Sequence, residues 1–464
     1  MASNFVNTKQ LASDMKEEIE RCEKGLRSDA GSSSCCIYRV PSKFVDNNGH
    51  WYTARTVSIG PYYYYSEGLD RDYKYQCLGS FLSRTRKKGI GLEDCMKKLL
   101  PLERETRQCY SAEIQQSDLS SNDYLEMMVL DGCFILELFY KFHDPEVVKS
   151  DEPLAHLLWR LPYFYVDLLL LQNQIPFFVL QKLFDISMIP DEEHGPSLSL
   201  PLLALRFFNN VLRRPDEAIE RYDNPENRPL HLLDLVRSSL IPNDPTASLN
   251  DEDTHIQYSK CCRYEIIVRM IEPRLQDTHI QSIPCISNLR SSGIRVRPVK
   301  ADSFLAVKFK DGLIEMPSIT INDFMRYLLL NCVAFEQCYK SCTKYVTAYA
   351  TLLDCLVNTS ADVQYLREHI VIDNYLADDH EVALFINGLG KDVTVDIRHC
   401  YLSKLFNDVD KYYRKNSHVY FASFRRTYFN TPWSFISASA AFVLLLLTVV
   451  QTIFSIITYV HPNN

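Results

Sequence analysis

The sequence predicts a mainly α protein: a large helical globular domain with a small β-hairpin element and one C-terminal transmembrane helix. Three observations carry that prediction. Apolar blocks between residues 123 and 184, and again from Asp323 onward, have the lengths and spacing of helices. Segment 302–321 alternates apolar and polar residues around Asp311–Gly312, which is a hairpin pattern. The run Trp433–Val460 holds 28 residues without one charge. Glycine is scarce, 14 of 464 residues, and that argues against an enzyme built on Gly-rich phosphate loops.

From the N-terminus, Leu11, Met15, Ile19, Cys22 and Leu26 fall on one face of an amphipathic helix over 9–27. Gly31 and three serines then mark a linker, so residues 1–35 form an N-terminal helix and linker. The globular domain is expected over 36–430. Its first part, Ile37–Phe81, is irregular and punctuated by Pro41, Gly60 and Pro61. Tyr62–Tyr65 offer either a stacking platform for a base or sugar, or a packed aromatic cluster, the commoner use. Residues 92–116 read as a mostly polar helix.

Blocks 123–140 and 164–184 approach membrane length but carry Asp131 and Glu137, and Asp167, Gln172, Asn173, Gln174 and Pro176. Charge is expensive in a bilayer, so both are expected as central helices of a soluble core. Pro176 should end or kink the second, freeing carbonyls that Gln172 or Asn173 would partly satisfy. Residues 185–201 and 241–256 read as long surface loops.

The lipid bilayer is the one partner that physical chemistry names, through residues 433–460, with a short tail at 461–464. Trp433 and Tyr459 stand where ring side chains favour the headgroup layer. Between Arg398 and Pro432 seven Lys and Arg face two Asp, so the large N-terminal domain is expected on the cytosolic side of a single-pass, tail-anchored protein. Residues 1–30 show no secretory signal, and fifteen cysteines, an odd number, fit a reducing compartment. The sequon at Asn358–Ser360 points the other way. Thr448, Gln451, Thr452 and Ser455 form one polar stripe in the span. It serves either self-association through the transmembrane helix or hydroxyl bonds to the helix's own backbone.

No local motif assigns a catalytic, cofactor-binding or metal site. Cys332, Cys338 and Cys342 are the densest thiol group, and core thiols are commoner than part of a metal site. Gly388–Lys391 lacks the spacing of a P-loop, and Asp408–Val409–Asp410 is a bare acidic triplet. Asp131 and Glu137 are the candidates for a perturbed carboxylate, against the commoner structural role. A net charge of −8 provides no basic field, so no nucleic acid partner is expected. The favoured function is a recognition or adaptor module with unknown protein partners. The alternative is a membrane-bound enzyme whose site is assembled from Asp131, Glu137 and the dispersed His and Cys residues.

The strings IYRVP (37–41), VSIGPY (57–62), MMVLDGCFILELF (127–139) and NQIPFFVLQKLF (173–184) resemble a plant-specific family, "domain of unknown function 247". So do AFEQC (334–338), DVQYLRE (362–368) and YFNTPW (428–433). The resemblance implies a mostly helical domain with a C-terminal transmembrane helix, and no established activity or cofactor. It also implies a link to recognition, since some members lie at grass self-incompatibility loci. The chain departs from the family's usual pattern at Tyr63 and Tyr64, where relatives place histidines, and at Gln172, where they place glutamate.

Overall fold

The computed structural model describes residues 35–45, 49–65, 71–86, 89–115, 117–143, 158–187, 199–224, 226–242, 283–391, 393–414 and 432–460. The helix expected over 9–27, its linker up to residue 34, most of the two expected loops, the basic flank at 415–431 and the 461–464 tail lie outside them.

Helices α1 (Arg71–Arg86), α2 (Leu92–Leu99) and α3 (Ser121–His143) open the helical body. Ser120 and Asp123 cap α3: the Asp123 N–H donates to Ser120 Oγ at 3.2 Å, and that hydroxyl donates to the Asp123 carboxylate. Every residue from Met127 to Phe139 is buried, as an all-round apolar helix requires. The two phenylalanines at 134 and 139 are fully enclosed, each worth about 1.5–3 kcal/mol of apolar burial. The polar helix expected over 92–116 is instead broken. α2 stops at Leu99, because Pro101 has no N–H to continue the ladder, and short helices follow at Glu103–Gln108 and Ala112–Gln115.

The second expected core helix is also broken, and earlier than Pro176. It runs as α4 (Leu161–Asp167), a buried irregular stretch, then α5 (Phe177–Ser187). Side-chain amides replace the missing helical bonds. Asn173 Nδ2 donates to the Asp167 carbonyl (2.8 Å), and Gln174 Nε2 donates to those of Leu168 and Leu170 (2.8 and 2.9 Å). Asn331 Oδ1 accepts from the Leu171 N–H at 2.9 Å. Asn173 thus acts as the sequence suggests, whereas Gln174 does the work expected of Gln172. Helices α6 (Leu200–Leu212) and α7 (Leu232–Ser239) complete this half, and α1, α2, α5 and α6 all pack on α3.

The hairpin forms where expected. Strands β1 (Arg295–Val299), β2 (Lys308–Lys310) and β3 (Leu313–Pro317) make a sheet ordered β1-β3-β2, with β2 and β3 antiparallel across Asp311–Gly312. Both turn residues have positive φ, 50° and 77°, as the two-residue turn demands. The parallel partner β1 and a second parallel pair, β4 (Ile319–Ile321) with β5 (Ile372–Asn374), were not expected.

Of the helices α8 (Asp323–Cys338), α9 (Tyr345–Leu356), α10 (Ser360–Glu368), α11 (Asp379–Leu389) and α12 (Ser403–Tyr413), α8 packs on β4, α10 on β5 and α12 on β2, while α9 and α11 pack on other helices. The last helix, α13 (Pro432–Val460), is 29 residues long. Over Ser439–Ile456 it is long and apolar enough to cross a membrane, and none of that stretch is buried against the body.

Candidate functional site

A dense polar construction surrounds Arg55–Gly60, a stretch with no strand or helix to satisfy its backbone. Side chains do so instead. The Asp167 carboxylate at the end of α4 accepts from the N–H groups of Arg55, Thr56 and Val57 at 3.1, 2.7 and 2.9 Å. Asn173 Oδ1 accepts from Ile59 at 2.6 Å, and Asp131 Oδ2 on α3 accepts from Gly60 at 2.8 Å. Lys74 on α1 neutralises Asp131 at 2.5 Å and also donates to the Ser58 carbonyl. Gly60 has φ +76°, and a Cβ there would stand 2.4 Å from the Gln174 carbonyl oxygen. The position therefore excludes any side chain on two counts.

Burial pushes the Asp131 and Asp167 carboxyls above the ordinary range. Lys74 and the Gly60 N–H draw the first back, and three backbone N–H groups draw back the second. Every oxygen of Asp131 and Asp167 is thus occupied in holding the chain. Glu137 is similarly tied, to Arg84 at 2.6 Å. These are structural carboxylates, the commoner of the two roles expected for Asp131 and Glu137.

The tyrosine run divides. Tyr62 meets Tyr110 edge-on at 5.9 Å and hydrogen-bonds Ser111 at 2.9 Å. The Tyr63 hydroxyl donates to the Tyr52 carbonyl at 3.1 Å and accepts from Gln172 Nε2. Tyr64 is half-buried, and Tyr65 is 79% exposed. A packed cluster fits this arrangement, with only Tyr65 open. Tyr63 and Gln172, two of the three positions where the resemblance implies a departure from the usual pattern, therefore touch each other. Burial raises the Tyr63 phenol above its ordinary value and an amide does not titrate, so the pair moves no proton near neutrality.

A second buried network, which sequence reading did not find, links α7, α8 and α9. Arg237 pairs with Asp234 and Glu336, both at 3.1 Å. Glu336 Oε2 also accepts from the Thr347 N–H (2.8 Å) and hydroxyl (2.6 Å). His231 caps α7 by accepting the Asp234 N–H at Nδ1, and burial lowers its pKa to about 4. A signal for such charges does exist. Lys74 shares a helix face with Leu78 and Phe81, and Arg237 shares one with Leu233 and Leu240, so both lie on apolar stripes.

Cys332 is fully enclosed, and burial also raises Cys338 to about 11 and Cys342 to about 12. Such thiols stay protonated and poorly nucleophilic near neutral pH. Among the described residues no group of three or more His, Cys, Asp or Glu is placed to hold a metal ion. Asp410 pairs with Arg414 on the exposed side of α12 at 2.8 Å, and Gly388–Lys391 closes α11.

A cleft of about 1000 Å³ lies between the helical half and the segment leading into β2. Arg221, Arg228, Lys300 and Lys308 line it, with Tyr222 and Ser238. Of its three carboxylates, Asp234 and Asp302 are engaged by Arg237 and Arg221, and Glu226 is exposed. A neighbouring cleft of about 610 Å³ shares Ala301, Asp302 and Ser303 with it. Neither Asp131 nor Glu137 reaches either cleft.

The fold and the polar clamp formed by Asp167, Asn173, Asp131 and Lys74 on Arg55–Gly60 together define a helical domain organised around buried polar wiring and followed by a membrane-length helix. The chain belongs to the DUF247 family, described as plant protein of unknown function, which matches residues 37–447. It is 34% identical to the UPF0481 protein At3g47200 of Arabidopsis thaliana, over 98% of this chain and 92% of that one. It is 24% identical to the putative UPF0481 protein At3g02645 of the same plant, over 98% and 97%. No solved structure matches the chain. The strings VSIGPY, DGCF and NQIP meet in space around Gly60, where Asp131 and Asn173 hold the backbone of Ile59 and Gly60.

Proposed function

We propose that this protein is a membrane-tethered recognition module, with the helical body binding partners at the surface of the bilayer that α13 enters. The observation that carries the reading is α13 itself. Its apolar side chains, from Ile436 to Ile456, are exposed and find no cover on the body. Water is a poor solvent for such a surface, and a bilayer core of about 30 Å accommodates it.

Recognition is favoured over turnover because the buried carboxylates Asp131, Asp167, Glu137, Asp234 and Glu336 hold backbone or pair with Arg and Lys. A recognition role also agrees with what the family resemblance implies. The basic excess before α13 favours a cytosolic body. Asn358 is exposed ahead of α10, so it reports the side.

Flotation of the full chain with lipid vesicles tests the tether: co-flotation resistant to alkaline carbonate is expected, and a protein left at the bottom overturns it. Glycosidase treatment should leave the mass unchanged, and a shift that Asn358→Gln abolishes would put the body on the other side. Partner capture from plant membranes should retain a specific protein, and repeated failure would sink the recognition role.

A further inference from the structure

We infer that α13 pairs with α13 of a second copy of this chain, through hydrogen bonds between their Gln451 carboxamides. The inference rests on the membrane reading above. Most polar groups of the stripe are satisfied within the helix. Thr448 Oγ1 donates to the Leu444 carbonyl at 2.8 Å, Thr452 Oγ1 to that of Thr448 at 2.7 Å, and Ser455 Oγ to that of Gln451 at 2.9 Å. These three hydroxyls ask nothing of a neighbour.

Gln451 differs. Its side chain is exposed, and no hydrogen bond joins its carboxamide to a described residue. It lies about 5 Å along the axis from the midpoint of Ser439–Ile456, inside the hydrocarbon layer. Lipid tails supply no donor or acceptor there, so an amide with two N–H groups and a carbonyl requires a partner. A carboxamide is complementary to itself: across a two-fold axis each Nε2–H donates to the other copy's Oε1. A second copy therefore meets the need with no further residue type.

The surroundings of Gln451 allow the approach. Ser437, Ala441, Leu444, Thr448, Gln451 and Ser455 follow a 4-3-4-3-4 spacing, the repeat of a left-handed helix pair. All but Leu444 and Gln451 are small, which lets two backbones come close. The opposite face presents Phe442, Leu446, Val449, Ile453 and Ile456, large apolar side chains suited to lipid.

The test uses the full chain in phosphatidylcholine vesicles, as two populations with donor and acceptor dyes, with transfer read as the protein is diluted in lipid. Flotation is run on the same samples. Wild type should float and pair, Gln451→Leu should float and associate about 5- to 30-fold more weakly, and Gln451→Asn should retain most pairing. Leu446→Val, on the lipid face, should pair as wild type does. Wild type that floats as single copies overturns the pairing alone, as does a Gln451→Leu variant that pairs undiminished. A chain that does not float overturns the membrane reading and the pairing with it. Differently tagged copies in plant membranes should cross-link through α13, and a Gln451-dependent link only to another protein overturns the second copy as partner.

Discussion

Helices α3 and α13 are the two longest apolar helices described, and they treat polar atoms in opposite ways. α3 is buried along its middle and carries Asp131 and Glu137. Each charge is met from another element, Lys74 and Arg84 of α1. α13 carries no charge, and three of its hydroxyls bond to its own backbone. The difference teaches what each environment supplies. A folded body can bring a counter-ion to a chosen depth, so buried charge becomes a way to fix backbone. A helix without such neighbours tolerates only polar groups that it satisfies itself, or that a copy satisfies for it.

The sharpest way to break the α3 side is Asp131→Ala, which strands a buried Lys74 and the Gly60 N–H. Unfolding by urea should show a loss of about 3–5 kcal/mol. Asp131→Leu combined with Lys74→Met should recover most of it; a single variant as stable as wild type would show that the pair does not hold the loop.

On the α13 side, Leu446→Arg places a charge where no partner waits. It should cost about 2.5–3.5 kcal/mol of insertion, read as the inserted fraction in microsomes. Unchanged insertion would place α13 outside the bilayer.

A titration sharpens the body's half of the comparison, because burial keeps His231 neutral against the pull of Asp234, with Arg237 adding to the effect of burial. Its folded pKa is about 4 against 6.5 for the free side chain. Stability from this group is therefore fully present above pH 6.5 and falls as pH drops toward 4, by about 3 kcal/mol. His231→Gln should flatten that part of the urea-midpoint profile against pH.

The smallest effect belongs to Thr452→Val, which removes a hydroxyl bonded only within its own helix. Insertion should change by no more than about 0.5 kcal/mol. A large change would mean that this hydroxyl serves a neighbour.

The contrast between the two helices was legible in the sequence, because a charge inside an apolar block and its absence from another are local facts. The hairpin was legible for the same reason: Asp311–Gly312 and its flanks lie within a few residues. The break before Pro176 was legible in kind but misplaced, since it depends on Asn331, which is 160 positions from Leu171. The clamp was hidden more fully. Asp167 and Val57 are 110 positions apart and Lys74 and Asp131 57, and no periodicity links such pairs. Strands of three residues such as β4 and β5 are defined by their pairing, which a short window does not contain. Tyr63 and Gln172 stood out separately as departures from a family pattern, and only the fold shows them as one contact.

Asn331 also sets a schedule. Its Nδ2 donates to the Trp51 carbonyl at 3.1 Å across 280 positions of chain, and its Oδ1 holds Leu171. A ribosome adding about 5–20 residues per second takes roughly 15–55 s to travel that distance. Throughout that interval the first segment of the body has been made and the residue that fastens it has not. For this protein the early chain waits on the late one, and its protection during synthesis falls to whatever attends the growing polypeptide.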